Sequence, residues 1–125
     1  MRNDAADCPF CRQKDVLLGN EFAYVIADVH PVNPGHLLVI PSRHVADFFE
    51  TTPEEKLALF TLLDEARRHL ETKYSPDGYN MGVNVGEVAE QTAMHVHIHL
   101  IPRYRGDMPN PRGGVRGVIP EKQAY

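Results

Sequence analysis

The chain has 125 residues, of which 42% are hydrophobic and 24% charged, and a formal net charge of −4. These values are typical of a globular domain, and they argue against a protein that mainly coats nucleic acid or spans a membrane. Because residues 1–4 lead into no apolar run, no secretory signal is expected, and the sequence predicts a cytoplasmic protein with one domain over residues 1–125.

Two cysteines near the start of the chain, Cys8 and Cys11, have the spacing C-x-x-C. A stable structural disulfide is not expected in a reducing compartment, which leaves a redox pair or half of a metal site. A redox motif usually follows a strand and opens a helix, whereas Cys8 follows polar residues. Half of a zinc site is therefore the favoured interpretation, and it needs two further ligands.

Two β-strands are predicted in the first third of the chain. Residues 21–28 are rich in β-forming side chains. Residues 36–40 form a near-continuous apolar run, typical of a strand buried on both faces, and Pro41 should end it. Residues 30–35 carry two prolines and a glycine and are interpreted as the connecting turn.

A long helix is predicted to begin at Thr52. The segment Thr52-Pro53-Glu54-Glu55 is a capping box with proline at the first helical position. Apolar side chains then recur on one helical stripe, which predicts that this face packs on the core. These positions are Leu59, Leu62, Leu63, Ala66 and Leu70. The sequence Ser-Pro-Asp-Gly at residues 75–78 should end the helix.

Two more strands are predicted after the helix. Residues 79–85 alternate in polarity, which indicates a half-buried strand, and residues 94–101 form the next one. The chain from Pro102 onward, including the Arg-, Pro- and Gly-rich tail at 106–125, is expected to be irregular. Together these elements predict an α+β fold, with a mainly antiparallel sheet and one long helix packed on it.

Three histidines alternate with apolar residues in the last predicted strand, at His95, His97 and His99. Successive side chains on a strand point to opposite faces, so the three imidazoles should share one face, about 6–7 Å apart. Such a row of imidazoles can bind a metal, or one ring can act as a nucleophile while its neighbours bind anionic oxygens. The spacing alone does not separate these two chemistries.

The segment His95–Ile101 resembles the His-φ-His-φ-His-φ-φ signature of the histidine-triad (HIT) proteins, which bind and cleave nucleotides. Residues 33–41 look like the Pro-Gly-His strand of that family, and the resemblance runs from about Cys8 to Arg105. A HIT-like fold is therefore expected.

The resemblance implies a catalytic role for three histidines. His97 would attack the α-phosphorus of a nucleotide and form a nucleotidyl-histidine intermediate, which water then hydrolyses. An imidazole suits this role because much of it is neutral near pH 7. His99 and His36 would contact phosphate oxygens or the leaving group. The implied substrate contacts are Asp28 at the ribose, Asn84, Gln91 and Thr92 at the phosphates, and Phe10 and Val29 at the base.

The resemblance also implies the missing metal ligands. In zinc-bearing members of the family, a histidine after the Pro-Gly-His strand and the first triad histidine complete the C-x-x-C pair. Cys8, Cys11, His44 and His95 fit this pattern, which implies a closed structural zinc site. A homodimer is implied as well. Neither nucleic acid nor a membrane is expected as a partner, and a role for Mg²⁺ is left open.

Two positions depart from the family pattern. Glu90 stands where glycine is usual, and Ala93 stands where a β-branched apolar residue is usual. An acid beside a phosphate site weakens anion binding or requires an altered loop. The donor geometry at the neighbouring Gln91 and Thr92 depends on which of these applies.

Residues 101–107 resemble the dinucleoside-polyphosphate hydrolase branch of the family, so the predicted substrate is a diadenosine polyphosphate, cleaved at the α-phosphate. The nearby arginines would suit a polyphosphate chain, although a solvated loop is the alternative interpretation. They are Arg103, Arg105, Arg112 and Arg116. Three other functions remain open: a nucleoside phosphoramidate hydrolase, a nucleotide-binding regulatory module with little turnover, and a protein that binds metal through the triad itself.

Overall fold

The structure, a computed structural model, describes residues 7–12 and 15–125. Residues 1–4, on which the expectation of no secretory signal rests, lie outside this range. Over the described residues, no helix is both long and apolar enough to cross a bilayer. The cytoplasmic location and the single domain over residues 1–125 stay predictions.

The described chain forms a five-stranded antiparallel sheet with a long helix against it, which confirms the predicted fold class. The strands are β1 (Leu18–Gly19), β2 (Ala23–Ala27), β3 (Leu37–Pro41), β4 (Gly78–Val83) and β5 (Ile98–Arg103). Their order across the sheet is β1-β2-β3-β5-β4, and all neighbours are antiparallel. Helix α1 (Pro53–Lys73) packs across β1, β2 and β3.

Helix α1 begins where the capping box predicted. The Thr52 hydroxyl accepts from the Glu55 N–H at 3.0 Å, and the Glu55 carboxylate accepts from the Thr52 N–H at 2.8 Å. Two otherwise unpaired backbone donors are thereby satisfied. The helix ends at Lys73, and Ser75 then takes a positive φ of 52°. The predicted start and end of the helix are confirmed.

The apolar stripe of α1 forms the core with one face of the sheet. Leu59, Leu62, Ala66 and Leu70 are fully buried, whereas Leu63 is partly buried at the margin. Each fully buried leucine contributes about 1.5–3 kcal/mol relative to an exposed one. The sheet residues in this cluster are Ala23, Val25, Leu37, Val39, Ile98 and Leu100.

Gly35 lies where the chain enters β3 against the end of this core. Its φ is +93°, and an added Cβ would lie 2.9 Å from Leu70 Cδ2. Both the backbone conformation and the close approach therefore require glycine. The turn places the next residue, His36, at the sheet with 3% of its surface exposed.

Several strand ends differ from the predictions, and β2, for example, covers Ala23–Ala27 and is shorter than the predicted strand at 21–28. Pro41 was expected to end the second strand before it, but it is the last residue of β3 and is paired with Ala23. At this terminal position proline removes no hydrogen bond that the strand needs. The expectation of burial on both faces is confirmed, because all five residues of β3 are buried. β4 stops at Val83, two residues before the predicted end.

The irregular segment predicted from Pro102 is also corrected. Pro102 and Arg103 belong to β5, where they are paired with Tyr79 and Gly78. Farther along, the tail contains two short 3-10 helices, at Gly114–Val118 and Pro120–Lys122. The strand therefore runs two residues past the end of the triad segment, and Arg103 is its last residue.

The prediction of a strand from residue 94 is wrong, because β5 begins at Ile98 and leaves His95 and His97 ahead of it. The Val96 N–H donates to the Val45 carbonyl at 2.8 Å instead of joining the sheet ladder. Burial does not alternate along this segment, because His95 and His97 are buried together with Val96 and Ile98. Because residues 95–97 do not pair with a neighbouring strand, the rings of His95 and His97 can point in different directions. In a regular strand they would point to the same face.

Candidate active site and metal centre

A cavity of about 800 Å³ lies beside the start of β5, on the face of the sheet away from α1. Most of the predicted substrate and catalytic residues line it. These are Phe10, Asp28, Val29, Asn84, Thr92, His97 and His99. His36 is buried behind His99, and Gln91 lies outside the lining. The fold therefore brings residues from four separate chain segments to one cavity.

The sequence prediction missed several lining residues. Ile26 and Leu38 form its apolar floor, next to a small buried cluster that includes Ile40. The continuous apolar run of β3 was a signal for this floor, because it indicates that the second face of the sheet is also covered. Asp15 also lines the cavity, and nothing in its sequence context marked it.

The orientation of His97 is set by its own backbone neighbourhood. Its Nδ1 atom lies 2.9 Å from the carbonyl oxygen of His95. A carbonyl can only accept, so Nδ1 carries the proton and the Nε2 lone pair is left for other chemistry. The ring lines the cavity, 5.0 Å from the Phe10 ring and 5.3 Å from the His99 ring between centroids.

A hydrogen-bonded chain fixes the tautomers of His36 and His99. The Val32 N–H donates to His36 Nδ1 at 3.0 Å, so the His36 proton is on Nε2. His36 Nε2 lies 3.0 Å from His99 Nδ1 and donates to it. His99 Nδ1 is therefore an acceptor, and its proton is on Nε2. His99 consequently offers the cavity an N–H donor.

Burial favours the neutral form of these two imidazoles. It lowers the pKa of His36 and of His99, and the charge of Asp28 only partly opposes the shift. Asp28 Oδ2 lies 3.4 Å from His36 Nε2 and 3.8 Å from His99 Nδ1. Its Oδ1 accepts from the His30 N–H at 2.9 Å. Asp28 is thus held at the cavity wall by the His30 N–H, and its Oδ2 faces the Nε2–H of His36.

Gln91 does not present its side chain to the cavity as predicted. It is 2% exposed, and its amide donates to the carbonyls of Ala46 and Ala93 at 2.7 and 3.2 Å. Its Oε1 accepts from the Gly86 N–H at 2.9 Å. Both amide hydrogens are therefore used by the backbone, and the side chain holds the loop together. Thr92, the next residue, does line the cavity.

Four predicted metal ligands converge beside the cavity. Cys8 Sγ lies 3.3 Å from His95 Nδ1, and Cys11 Sγ lies 3.3 Å from His44 Nδ1 and 3.6 Å from His95 Nδ1. Zn–S bonds of about 2.3 Å and Zn–N bonds of about 2.0–2.1 Å in a tetrahedron place sulfur and nitrogen about 3.5 Å apart. The donor atoms therefore fit a tetrahedral zinc ion.

The second ring nitrogen of His95 supports the same conclusion. Its Nε2 lies 2.7 Å from the Pro41 carbonyl, to which it donates. Nδ1 is therefore unprotonated and available to a metal. Ligating histidines usually donate their other N–H to an acceptor in this way.

A second group of possible ligands is formed by Asp28, His36 and His99. In this group the ring nitrogen that faces the other ligands carries a proton, so it is not available to a metal. His36 accepts at Nδ1, so its proton occupies Nε2, the atom that would have to bind the metal. These residues form a proton network. Across residues 7–12 and 15–125, no group of closely spaced donor atoms contains all three triad histidines.

The arginines near the carboxyl end are used in structural contacts. Arg103 donates to both Asp107 carboxylate oxygens at 2.8 and 2.7 Å and to Asn80 at 2.6 Å. Arg116 donates to the backbone carbonyls of Lys122 and Gln123. Among the described residues that line the cavity, none is lysine or arginine. The polar groups of this lining are imidazoles, the carboxylates of Asp15 and Asp28, and the neutral side chains of Asn84 and Thr92.

Comparison with known proteins agrees with this geometry. Residues 12–106 match the family described as HIT domain. The chain is 34% identical over 93 residues to the AP-4-A phosphorylase of Mycobacterium tuberculosis (strain CDC 1551 / Oshkosh), covering 74% of this chain and 48% of that relative. It is 36% identical over 92 residues to the bis(5'-nucleosyl)-tetraphosphatase [asymmetrical] of Schizosaccharomyces pombe, covering 74% of this chain and 50% of that protein.

The chain thus spans about half the length of these curated relatives. Among solved structures, it resembles a Zn-bound histidine triad family protein from Mycobacterium smegmatis with a TM-score of 0.76 and 30% identity. That match covers 86% of this chain and 82% of the other. The family match covers most of the chain and includes all three triad histidines. This protein therefore belongs to the HIT domain family.

Proposed function

We propose that this protein is a nucleotide hydrolase that cleaves a diadenosine polyphosphate at the α-phosphate through a nucleotidyl intermediate on His97. The observation that carries the proposal is the hydrogen bond from His97 Nδ1 to the His95 carbonyl. It holds the ring in the tautomer whose Nε2 lone pair is nucleophilic, at the wall of a cavity large enough for a nucleotide.

The reaction has two balanced steps. In the first, the Nε2 lone pair of His97 forms a bond to the α-phosphorus, and the bond from phosphorus to the bridging oxygen of the leaving group breaks. The His99 N–H donates to a phosphoryl or leaving oxygen, where negative charge develops. In the second, water attacks the phosphorus and loses one proton to the solvent, the P–N bond breaks and its electron pair returns to His97 Nε2, and the nucleoside monophosphate is released.

The cavity lining supports a nucleotide as the substrate class. Phe10 and Val29 offer apolar surface for a base, and Asp28 offers a carboxylate for ribose hydroxyls. Asn84 and Thr92 add neutral polar groups near His97 and His99. The names of the two relatives support a dinucleoside polyphosphate, and the word phosphorylase in one of them makes inorganic phosphate a possible acceptor in place of water.

A nucleoside phosphoramidate is the second candidate substrate. The cavity lining has two carboxylates, Asp15 and Asp28, and among its described residues neither lysine nor arginine. A long polyphosphate leaving group would bring several negative charges to this surface. The leaving group of a phosphoramidate is an amine, which takes up a proton as the P–N bond breaks and brings no additional negative charge to this surface. The regulatory module with little turnover would use the same contacts without completing the second step.

We also propose that the metal is zinc with a structural role. Four protein ligands close a tetrahedron and leave no position for a substrate. Zinc would therefore connect the segment at Cys8 and Cys11 to the segment that carries His95 and His97. A homodimer is proposed from the family resemblance, and β4, an edge strand with Met81 55% exposed, offers a surface for it. Light scattering during gel filtration tests the dimer.

The decisive experiment traps the intermediate on His97. The protein is mixed with diadenosine polyphosphates of increasing length or with adenosine phosphoramidate, with and without inorganic phosphate, and quenched in base. Peptide mass spectrometry should find one nucleotidyl group on His97, and the best substrate defines the class. His97→Ala should lose turnover by about 10³-fold or more while AMP still binds.

Three outcomes would contradict parts of the proposal. Unchanged turnover in His97→Ala would exclude this residue as the nucleophile. Faster turnover of the phosphoramidate than of every polyphosphate would favour the second candidate. Tight AMP binding with no hydrolysis of any conjugate would favour the regulatory module.

A further inference from the structure

We propose that the Cys8–Cys11–His44–His95 metal centre positions Phe10 as a wall of the nucleotide cavity, so that nucleotide affinity depends on whether the metal is bound. The proposal rests on the proposed function, since it takes the cavity to be a nucleotide site.

Phe10 lies between the two cysteine ligands and faces the cavity. Its backbone N–H lies 3.4 Å from Cys8 Sγ, to which it donates. Its ring lines the cavity, with its centroid 5.0 Å from that of His97 and 5.9 Å from that of His95. A single aromatic side chain therefore contacts a metal ligand on one side and the proposed nucleophile on the other.

Contacts of Phe10 itself also hold this segment. The Tyr24 hydroxyl donates to the Phe10 carbonyl, and the Phe10 ring packs on Ile26, Leu38 and Ile40. Residues 7–12, the described part of the amino-terminal segment before the gap, pair with no strand of the sheet. Cys11 is exposed. Short segments lose much conformational entropy when they are ordered, so two metal–thiolate bonds on either side of Phe10 strongly restrict its position.

His95 provides a second connection between the metal and the site. Its Nδ1 faces the cysteines, and its backbone carbonyl accepts from His97. Loss of the metal would therefore disturb both the nucleophile and the Phe10 wall. Because turnover reports on both effects together, the binding of AMP is the measurement that isolates Phe10.

The test compares AMP binding by calorimetry in zinc-loaded wild type, in the chelator-stripped protein and in zinc-loaded Phe10→Ala. Stacking of a base on an aromatic ring corresponds to about a tenfold change in affinity. Stripped wild type and loaded Phe10→Ala should each bind AMP about tenfold more weakly than loaded wild type. Stripping zinc from Phe10→Ala should cause little further loss, and zinc should restore the wild-type affinity.

A fluorescence experiment follows the segment directly. The chain contains no tryptophan, so Phe10→Trp introduces a single reporter at the cavity wall. Zinc should shift its emission to shorter wavelength, and AMP should quench it in the loaded protein. Tyr24→Phe removes the hydrogen bond to Phe10 and leaves every metal ligand in place. This variant should keep its zinc and bind AMP about threefold more weakly, on the scale of one lost hydrogen bond.

Two results would overturn the inference. One is AMP affinity in the stripped protein equal to that of the loaded protein. The other is wild-type AMP affinity in zinc-loaded Phe10→Ala, a result that does not require the stripped protein to stay folded. Failure of the loaded wild type to bind AMP would instead contradict the proposed function, so the two failures are distinguishable.

Discussion

His36 Nε2 and His99 Nδ1 lie 3.0 Å apart, and the hydrogen bond between them determines which nitrogen of His99 faces the cavity with a proton. The direction of this bond is set by the other ring nitrogen of His36, because the Val32 N–H donates to His36 Nδ1. A backbone amide cannot reverse its role, so it fixes the tautomer of both rings. The donor that His99 offers to the cavity thus depends on the backbone of the turn at residues 30–35.

Replacement of His36 should reduce turnover more than nucleotide binding. His36→Leu leaves His99 Nδ1 without its donor, and turnover should fall by about 10²-fold, the scale of one positioned proton donor. AMP affinity should change only a few fold. His36→Gln can donate its amide hydrogen to His99 and should recover part of the rate. Equal rates for the leucine and glutamine variants, with both folded, would argue against a role in tautomer selection.

The metal content of variants should show that His97 is not a metal ligand. Atomic emission should find one zinc per chain in wild type and in His97→Ala, because His97 donates to a backbone carbonyl and not to the metal. Cys8→Ser should lose the zinc, since it removes a buried thiolate ligand. Zinc that persists in Cys8→Ser but is lost in His97→Ala would contradict the ligand set.

The conformation of Glu90 predicts a stabilising substitution. Its φ of 64° and ψ of 39° are left-handed, which glycine adopts without the penalty of a side chain. Glu90→Gly should raise the free energy of unfolding by up to about 1 kcal/mol, part of the gain being offset by unfolded-state entropy. Glu90→Ala keeps the Cβ and is the matched control, with unchanged stability expected in urea denaturation.

The same pair of variants tests the charge of Glu90. If its carboxylate weakens phosphate binding, AMP affinity should rise by similar factors in Glu90→Gly and Glu90→Ala, since both remove the charge. A gain confined to the glycine variant would assign the effect to the backbone.

The ion pair between Arg43 and Glu55 should make stability depend on acid pH. The guanidinium donates to both carboxylate oxygens at 2.9 Å, and this contact lowers the pKa of Glu55 below its usual 4.5. A lowered acid pKa stabilises the fold above the usual value, and the contribution is lost as pH falls through the folded-state pKa. Glu55→Gln should cost about 1–2 kcal/mol at pH 7, since Arg43 is half exposed.

Thermal unfolding across pH provides the measurement. The difference between wild type and Glu55→Gln should be constant near neutral pH and should shrink progressively below pH 4.5. Glu54→Gln, at the exposed neighbouring acid, is the control for a simple change in charge. A difference between wild type and Glu55→Gln that does not vary with pH would contradict the contribution of the ion pair.

Some elements were predictable because their signals are local. The capping box at Thr52 and the apolar stripe of α1 are contained within a few turns of chain, so the sequence alone indicates where the helix begins and which face is buried. The four metal ligands were likewise identifiable from residue type and spacing once the family resemblance was recognised. Their donor atoms do meet in space.

Other features depend on backbone atoms far away in the chain. Gln91 was expected to contact phosphate, but the carbonyl of Ala46, from the segment before α1, takes one of its amide hydrogens. The strand expected from residue 94 starts at Ile98 because Val96 pairs with Val45. The type of a residue does not indicate which carbonyl or N–H from a distant part of the sequence will lie next to it in the fold. These outcomes could therefore not be predicted from the sequence.

The sequence by itself determined that a helix packs on an antiparallel sheet and that cysteines and histidines have metal-ligand and triad spacing, because periodicity, capping and residue type are local properties. Only the tertiary structure decided which ring nitrogen of each histidine carries the proton and which groups that nitrogen faces. The carbonyl of Pro41 directs His95 Nδ1 to the cysteines, the carbonyl of His95 places the proton of His97 on Nδ1, and His36 places the proton of His99 on Nε2. An imidazole has two equivalent-looking nitrogens, and only its folded neighbours determine which one carries the proton.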